Sequence, residues 1–402
     1  MQTKPTLFGY GLTTKAIANK LGGGCVFFDD NTSKTFRDSK NNIIKPSKEF
    51  DAKESALEVT TPSLPPHHPL IAQAQNLKSE YDYFADVMPF SIWISGTNGK
   101  TTTTQMLGHL LEKRGAVMGG NIGTPLAELS TNASIWILES SSFSLHHTCS
   151  ASPNIYILLP ITPDHLDWHG TASNYQEDKL RPLLTMKEGE LALIPKGLNL
   201  PQSDAYIVEY DSHAFLESYF DLDASKIHFK GAFLEDALLS LAITKVLFDE
   251  VDYTQMNSFK RDAHRQEECK DSQGRLWVND SKATNLDATL QALKGYADQS
   301  IHLIIGGEDK GVDLKPLFVF MQGLDICIYA IGANTRKLLD LAQDYTIKAY
   351  KAQNLERAVQ AIDKIHDTQS LALLSPAGAS FDQFKSYKHR GESFMNLVQN
   401  LD

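Results

Sequence analysis

Short apolar runs bounded by glycine, proline or acidic residues recur along the whole chain: Thr6–Gly9, Cys25–Phe28, Ser91–Ser95, Ser134–Leu138, Asn154–Leu159, Arg275–Val278, Ile301–Ile305, Ile326–Ile331 and Ser370–Leu374. Their length and continuous apolarity predict strands buried on both faces. Between many of them the apolar positions fall at helical spacing, as in Lys100–Arg114, Asp236–Phe248, Leu286–Leu293 and Leu355–Ile365. Strand and helix in alternation predict parallel sheets with helical crossovers, so the fold class is α/β.

Two breaks divide this pattern. One lies near Met88-Pro89, just ahead of a new strand, and the other near Lys260–Asp262, where the polar stretch RDAHRQEE precedes another. At 402 residues the chain exceeds what one ordinary core organises, and three domains are expected: 1–89, 90–261 and 262–402. No internal repeat, heptad run or low-complexity tract is present.

Composition narrows the class. Apolar residues make up 42% and charged residues 22% of the chain, values of a folded globular protein rather than a disordered or fibrous one. With 38 basic against 49 acidic residues the net charge is −11, which repels nucleic acid and anionic membrane, so an anionic ligand must be held by a local site. The four cysteines, Cys25, Cys149, Cys269 and Cys327, are far apart and show no CxxC spacing, so neither a zinc site nor a disulfide framework is expected. MQTKPTLFGYGLTT lacks a basic region followed by a long apolar one, and no apolar run approaches a bilayer span; a cytoplasmic location is expected.

The densest chemistry lies in SIWISGTNGKTTTTQML. A strand leads into Gly96-Thr97-Asn98-Gly99-Lys100-Thr101-Thr102 and then a helix. Backbone N–H groups of such a turn, closed by a helix N-terminus, cradle phosphate oxygens; Lys100 neutralises charge and the Thr101 hydroxyl reaches a magnesium ion. Only two residues separate Gly96 from Gly99, and Ile94 stands where a full Walker loop has its first glycine. ATP binding follows, but kinase, motor, switch protein and ligase all remain open at this point.

GTNGKTTT resembles the nucleotide loop of the Mur ligase and folylpolyglutamate synthase superfamily, and further segments match that family in order. Gly119–Pro125 and the strand ending Leu138-Glu139-Ser140-Ser141-Ser142 follow the loop helix. The resemblance implies that Glu139 binds magnesium and that Asn121 and Ser141 contact the UDP-linked substrate; read alone, the latter two are turn or cap residues. Ile161–Asp167 resembles the segment whose histidine, here His165, binds a second magnesium, with His169 near but outside the pattern. Tyr175–Leu180 resembles the YxxxK segment, which implies a carbamate on Lys179. A lysine must lose its proton to react with carbon dioxide, so burial or a nearby cation must lower its pKa from the usual ~10.4. The catalytic set implied is Lys100, Glu139, His165 and Lys179.

In the final third, Val278–Asn285 resembles the D-glutamate-adding branch of the Mur ligases. The resemblance implies that Asp280 and Lys282 contact ATP and that Thr284 lines the amino-acid pocket, while His264-Arg265 puts Arg265 on the ATP phosphates. Gly306–Lys310 and Ser375–Lys385 resemble the amino-acid site, which assigns Lys310, Ser380, Phe381 and Tyr387 to D-glutamate. One segment departs from the family: where a His-Asn-x-x-Asn helix start contacts adenine, this chain has Gly231–Ala237, leaving Asp236 to accept the adenine amino protons. At the N-terminus GYGLTT, with Asp29-Asp30 about twenty residues on, fits the turn that receives the UDP pyrophosphate and implies contacts from Leu12, Thr13 and Asp30.

The expectation is thus a three-domain enzyme, with Rossmann-like N-terminal and C-terminal domains around a P-loop ATPase-like centre. It would join D-glutamate to UDP-N-acetylmuramoyl-L-alanine through an acyl phosphate, with ATP, two magnesium ions and the Lys179 carbamate. Its partners would be these small molecules, with no nucleic acid or membrane, and a monomer is expected. Another Mur ligase or a folylpolyglutamate synthase is the alternative within the class; a nucleotide-switch protein is the alternative outside it.

Overall fold

The computed structural model describes residues 4–308 and 311–401. Its strands form three six-stranded sheets. In the middle sheet every pairing is parallel, and the strands run in the order Tyr206–Tyr210, Leu191–Pro195, Ile155–Leu158, Phe90–Ser95, Ile135–Glu139, Ala116–Gly120. Phe90–Ser95 is flanked by strands that come later in the chain on both sides, so the loop leaving its carboxyl end opens at a switch point of the topology, where ligands of such sheets collect. The sequence explains the central strands directly: Ile92, Trp93, Ile94, Trp136, Ile137, Leu138, Tyr156 and Ile157 are completely buried. Burial of each such large side chain contributes roughly 2 kcal/mol or more.

The chain divides into two compact units: one ends at His228 and takes back Leu234–Ser258, and the other comprises Phe229–Phe233 and the chain from Phe259 on. Two sheets share the first unit and one core, in which Phe27 and Val59 of the N-terminal sheet belong with Trp93 and Leu138 of the middle one. Polar clamps reinforce the join. Asp82 accepts the backbone N–H groups of Cys149, Ser150 and Ala151 at 2.9, 2.8 and 2.7 Å, and buried Glu80 accepts that of Ala127 at 3.3 Å.

The second unit holds the third sheet, parallel except for its edge strand Glu267–Lys270. Leu276–Asn279, Ser370–Leu374 and Ser300–Gly306 lie side by side there, so Asp280, Ser375 and Gly307 emerge at neighbouring carboxyl ends. Among the described residues no helix is long and apolar enough to cross a membrane.

Candidate functional site

The turn after Phe90–Ser95 holds its shape because two of its residues lack a Cβ. Gly96 has φ +141°, and a Cβ there would lie 2.5 Å from Cβ of Leu159; Gly99 has φ +83° and starts the helix Lys100–Leu111. Lys100 folds back over the turn, its Nζ donating to the carbonyls of Gly96 and Thr97 at 2.9 Å each. Thr97 ties the loop to its neighbours: its hydroxyl donates to the Thr162 carbonyl at 3.0 Å, accepts the Thr162 N–H at 2.9 Å and meets the Tyr175 hydroxyl at 3.1 Å. Asn98 and Thr101 are half-buried at the mouth of the turn, while Thr102 is buried in the first helical turn. Asp236, expected at adenine, is buried below this loop: it accepts the Thr103 hydroxyl at 2.9 Å, and a Cβ on Gly99 would come within 2.7 Å of its carboxylate.

Three further residues converge beside the turn. Glu139, the last residue of its strand, is buried; Oε1 accepts the Asn121 amide at 2.7 Å, while Oε2 has no hydrogen-bond partner among the described residues. Lys179 is also completely enclosed, with Nζ donating to the Gly96 carbonyl at 2.8 Å and the Ser95 hydroxyl at 3.3 Å and lying over the Tyr175 ring. Burial, and then the charge of Lys100, push its pKa well below the ordinary lysine value, partly offset by Asp164, Asp178 and Glu139. His165 takes a left-handed conformation, φ +52°, at the start of the short helix Leu166–His169; burial lowers its pKa, Asp164 opposes this, and Lys100 and Lys179 lower it further. Lys100 and Glu139 act electrostatically on Lys179, and Lys179 on His165. Ser141 instead caps the helix Ser142–His146 through the Ser144 N–H.

Among the described residues no three His, Cys, Asp or Glu side chains cluster as a ready metal cage. The donor set still suits magnesium, which keeps several waters and takes one or two carboxylates plus substrate phosphates. Glu139 Oε2, a buried carboxylate oxygen without a partner, is the observation in favour. Thr101 and His165 would sit beside it.

In the N-terminal sheet the Gly9–Gly11 turn and Asp30 line a cavity of about 210 Å³ together with Asp29, Thr61 and Ser63. Asp29 accepts the Tyr10 N–H at 2.7 Å. Asp30 is held below the usual carboxylate range by the Ser47 hydroxyl and also bonds His68 at 2.8 Å. Leu12 and Thr13 open the following helix, with Leu12 exposed and Thr13 half-buried.

The second unit has its own polar cluster. Asp280 accepts the Ser375 hydroxyl at 2.8 Å and the Gln266 N–H at 3.2 Å, and burial raises its pKa to about 7. Arg265, whose charge opposes that rise, stands between His264 and Gln266, both at positive φ (+67° and +45°), a backbone held out of its easy range. Lys282 lies over the Tyr387 ring, 4.2 Å from its centroid, and Thr284 is half-buried beside it. Ser380 is buried with no partner for its hydroxyl among the described residues, whereas Phe381 is 71% exposed. Lys310 falls outside the described residues.

Sequence reasoning passed over two features. Tyr175 gains a role through Thr97, for which its place in the YxxxK segment was a usable signal. Arg390, completely buried, donates from Nε to the Ser281 hydroxyl at 2.9 Å, from Nη2 to the Ser281 carbonyl at 2.9 Å and from Nη1 to the Gly378 carbonyl at 3.2 Å, stitching two of the polar loops together. An arginine reads as exposed unless its partners are known.

Residues 94–203 match the model of the Mur ligase middle domain. A UDP-N-acetylmuramoylalanine--D-glutamate ligase of Campylobacter jejuni is 51% identical over 99% of this chain and 100% of its own length, and one of Helicobacter pylori is 43% identical over 98% and 99%. The crystal structure of a MurF ligase from Thermotoga maritima in complex with ADP shares the fold, with TM-score 0.59 and 14% identity over 93% of this chain and 94% of that one. The chain therefore belongs to the Mur ligase family, in its UDP-N-acetylmuramoylalanine--D-glutamate ligase branch.

Proposed function

We propose that the protein ligates D-glutamate to UDP-N-acetylmuramoyl-L-alanine with cleavage of ATP to ADP and phosphate. A carboxylate is a poor electrophile until it carries a leaving group. Its oxygen attacks the γ-phosphorus of ATP, the bond to the bridging oxygen breaks and ADP departs. The amine of D-glutamate then attacks the acyl carbon, phosphate leaves, and the amine gives up a proton as the amide forms. No protein nucleophile is required.

The residues divide this work. The N–H groups of Gly96–Thr102 hold the phosphates, and Lys100, by swinging from the Gly96 and Thr97 carbonyls, meets the charge that develops on the transferred group. Glu139, Thr101 and His165 would hold magnesium, which when bound neutralises phosphoryl charge. Lys179, whose enclosure favours loss of its proton, would add to carbon dioxide, and its carbamate would supply the second anion of the site. Asn121 and Ser141 face the acceptor, and Leu12, Thr13 and Asp30 its UDP end. Asp280, Lys282 and Arg265 serve ATP; Thr284, Ser380, Phe381, Tyr387 and Lys310 serve D-glutamate. Asp236 acts from beneath the phosphate loop. The boundaries 1–89, 90–261 and 262–402 assign one sheet to each of three domains, and a cytoplasmic monomer completes the reading.

The full-length identity of 51% carries this reading, because it spans the acceptor, nucleotide and amino-acid segments together. A phosphate-release assay with omission of each substrate tests it. Release should require ATP, UDP-N-acetylmuramoyl-L-alanine and D-glutamate together, with a product heavier by one glutamyl residue. Release without an amino acid, or equal turnover with L-glutamate and a folate, would overturn it.

A further inference from the structure

Glu139, His165 and Lys179 sit on three separate segments, and each segment is secured by a side chain outside the set. His169 closes the four-residue helix that His165 opens, and its side chain is completely buried. Both ring nitrogens are engaged: Nε2 meets the Ser142 hydroxyl at 3.0 Å, and Nδ1 meets Asp178 Oδ2 at 2.8 Å. Asp178 precedes Lys179 on the helix Ala172–Leu180, and its other oxygen accepts His146 Nδ1 at 2.8 Å and Arg181 Nε at 3.0 Å. Ser142 and His146 begin and end the helix that follows Glu139. One chain of hydrogen bonds thus crosses all three segments, within one to seven positions of each proposed ligand.

We propose that His169 and Asp178 are positioning residues of the ligation site, fixing through the Ser142–His169–Asp178–His146 chain the mutual placement of Glu139, His165 and Lys179. The inference rests on the assignment of those three residues to magnesium. Its physical basis is the weakness of the parts. A helix of one turn has no stability of its own, since nucleation is unfavourable and few bonds repay it. His165 adds a left-handed backbone that the surroundings must enforce. The Asn174 amide, donating to the His169 carbonyl at 2.8 Å, secures the same turn from the next helix. Asp178 anchors the helix face beside the one from which Lys179 reaches the loop, so releasing it lets the helix roll and carry the amine with it. Misplacement of about 1 Å in such a site costs on the order of 10²-fold in rate.

Manganese serves as the probe, followed by electron paramagnetic resonance as it is titrated into the full-length protein with a non-hydrolysable ATP analogue. His169→Ala and Asp178→Ala should each raise the manganese dissociation constant about tenfold, the scale seen when groups supporting metal ligands are removed. Ser142→Ala, which cuts one link, should raise it less. Asp363→Ala, which removes a partner of buried Arg275 in the other unit, is the control: it should lower Tm comparably and leave manganese binding unchanged. A shift below threefold in both His169→Ala and Asp178→Ala, while Glu139→Ala abolishes binding, overturns the positioning role alone. Undiminished binding in Glu139→Ala overturns the metal assignment beneath it.

Discussion

Two buried cations in this molecule have opposite surroundings. Arg275, just ahead of the third-sheet strand Leu276–Asn279, donates from Nε to Asp271 at 2.6 Å and from Nη2 to Asp363 at 2.6 Å, with a further bond from Nη1 to the Asp363 carbonyl. Lys179, on the helix Ala172–Leu180, has a carbonyl and a hydroxyl for partners and no carboxylate within ion-pair distance among the described residues. The charge on Arg275 is matched in place, so the group is architecture. For Lys179 neutral dipoles do not repay desolvation, and the amine sheds its proton more readily. Burial alone therefore does not mark a site.

Substitutions should separate the two roles. Lys179→Ala is expected to lower the ligation rate at least ~10³-fold, as for the loss of a main electrostatic group in phosphoryl transfer, with Tm nearly unchanged. Single-turnover kinetics and a thermal melt check the pair of outcomes. Arg275→Ala should do the reverse. It strands Asp271, which also accepts the Trp277 indole N–H at 2.8 Å, and should cost about 3–5 kcal/mol of stability in urea unfolding while kcat per folded molecule is retained.

A buried acid sharpens the comparison through pH. Burial raises the Glu80 carboxyl to about 7 from 4.5, against the backbone N–H groups of Ala127 and Leu126, which lower it. Between those values the folded chain holds a proton that the unfolded chain has lost. Its contribution is therefore complete below pH 4.5 and fades as pH rises through 7, by about 3 kcal/mol. Glu80→Gln should remove that slope, read as the difference between two urea-midpoint series over this range. The smallest effect is expected at Ser380, whose hydroxyl has no partner among the described residues. Ser380→Ala should raise KM for D-glutamate about tenfold, equivalent to ~1.4 kcal/mol, with stability unchanged.

What the sequence allows a reader to see depends on how local the cause is. Phe90–Ser95, Ile326–Ile331 and Ser370–Leu374 are read almost residue for residue, because continuous apolarity is imposed by burial on both faces. Lys348–Gln353 escapes notice: it is an edge strand, exposed at five of its six positions and carrying two lysines, the composition that keeps edges from pairing further. Ala116–Gly120 ends in two glycines and is not among the strands read from the sequence, yet it pairs along its length with Ile135–Glu139. The phosphate loop is legible because its chemistry is contiguous. The contacts of Asp236 with Thr103 and of Asp178 with His146 are not, since each joins distant positions that only the tertiary fold brings together.

The most direct test of a carbamate on Lys179 is a carbon-13 spectrum of the protein in ¹³C-bicarbonate, with Lys179→Ala alongside. The account predicts a single carbamate resonance in the wild-type protein and none in the variant. Full ligation turnover under the same conditions with no such resonance, or the same resonance in Lys179→Ala, would contradict it.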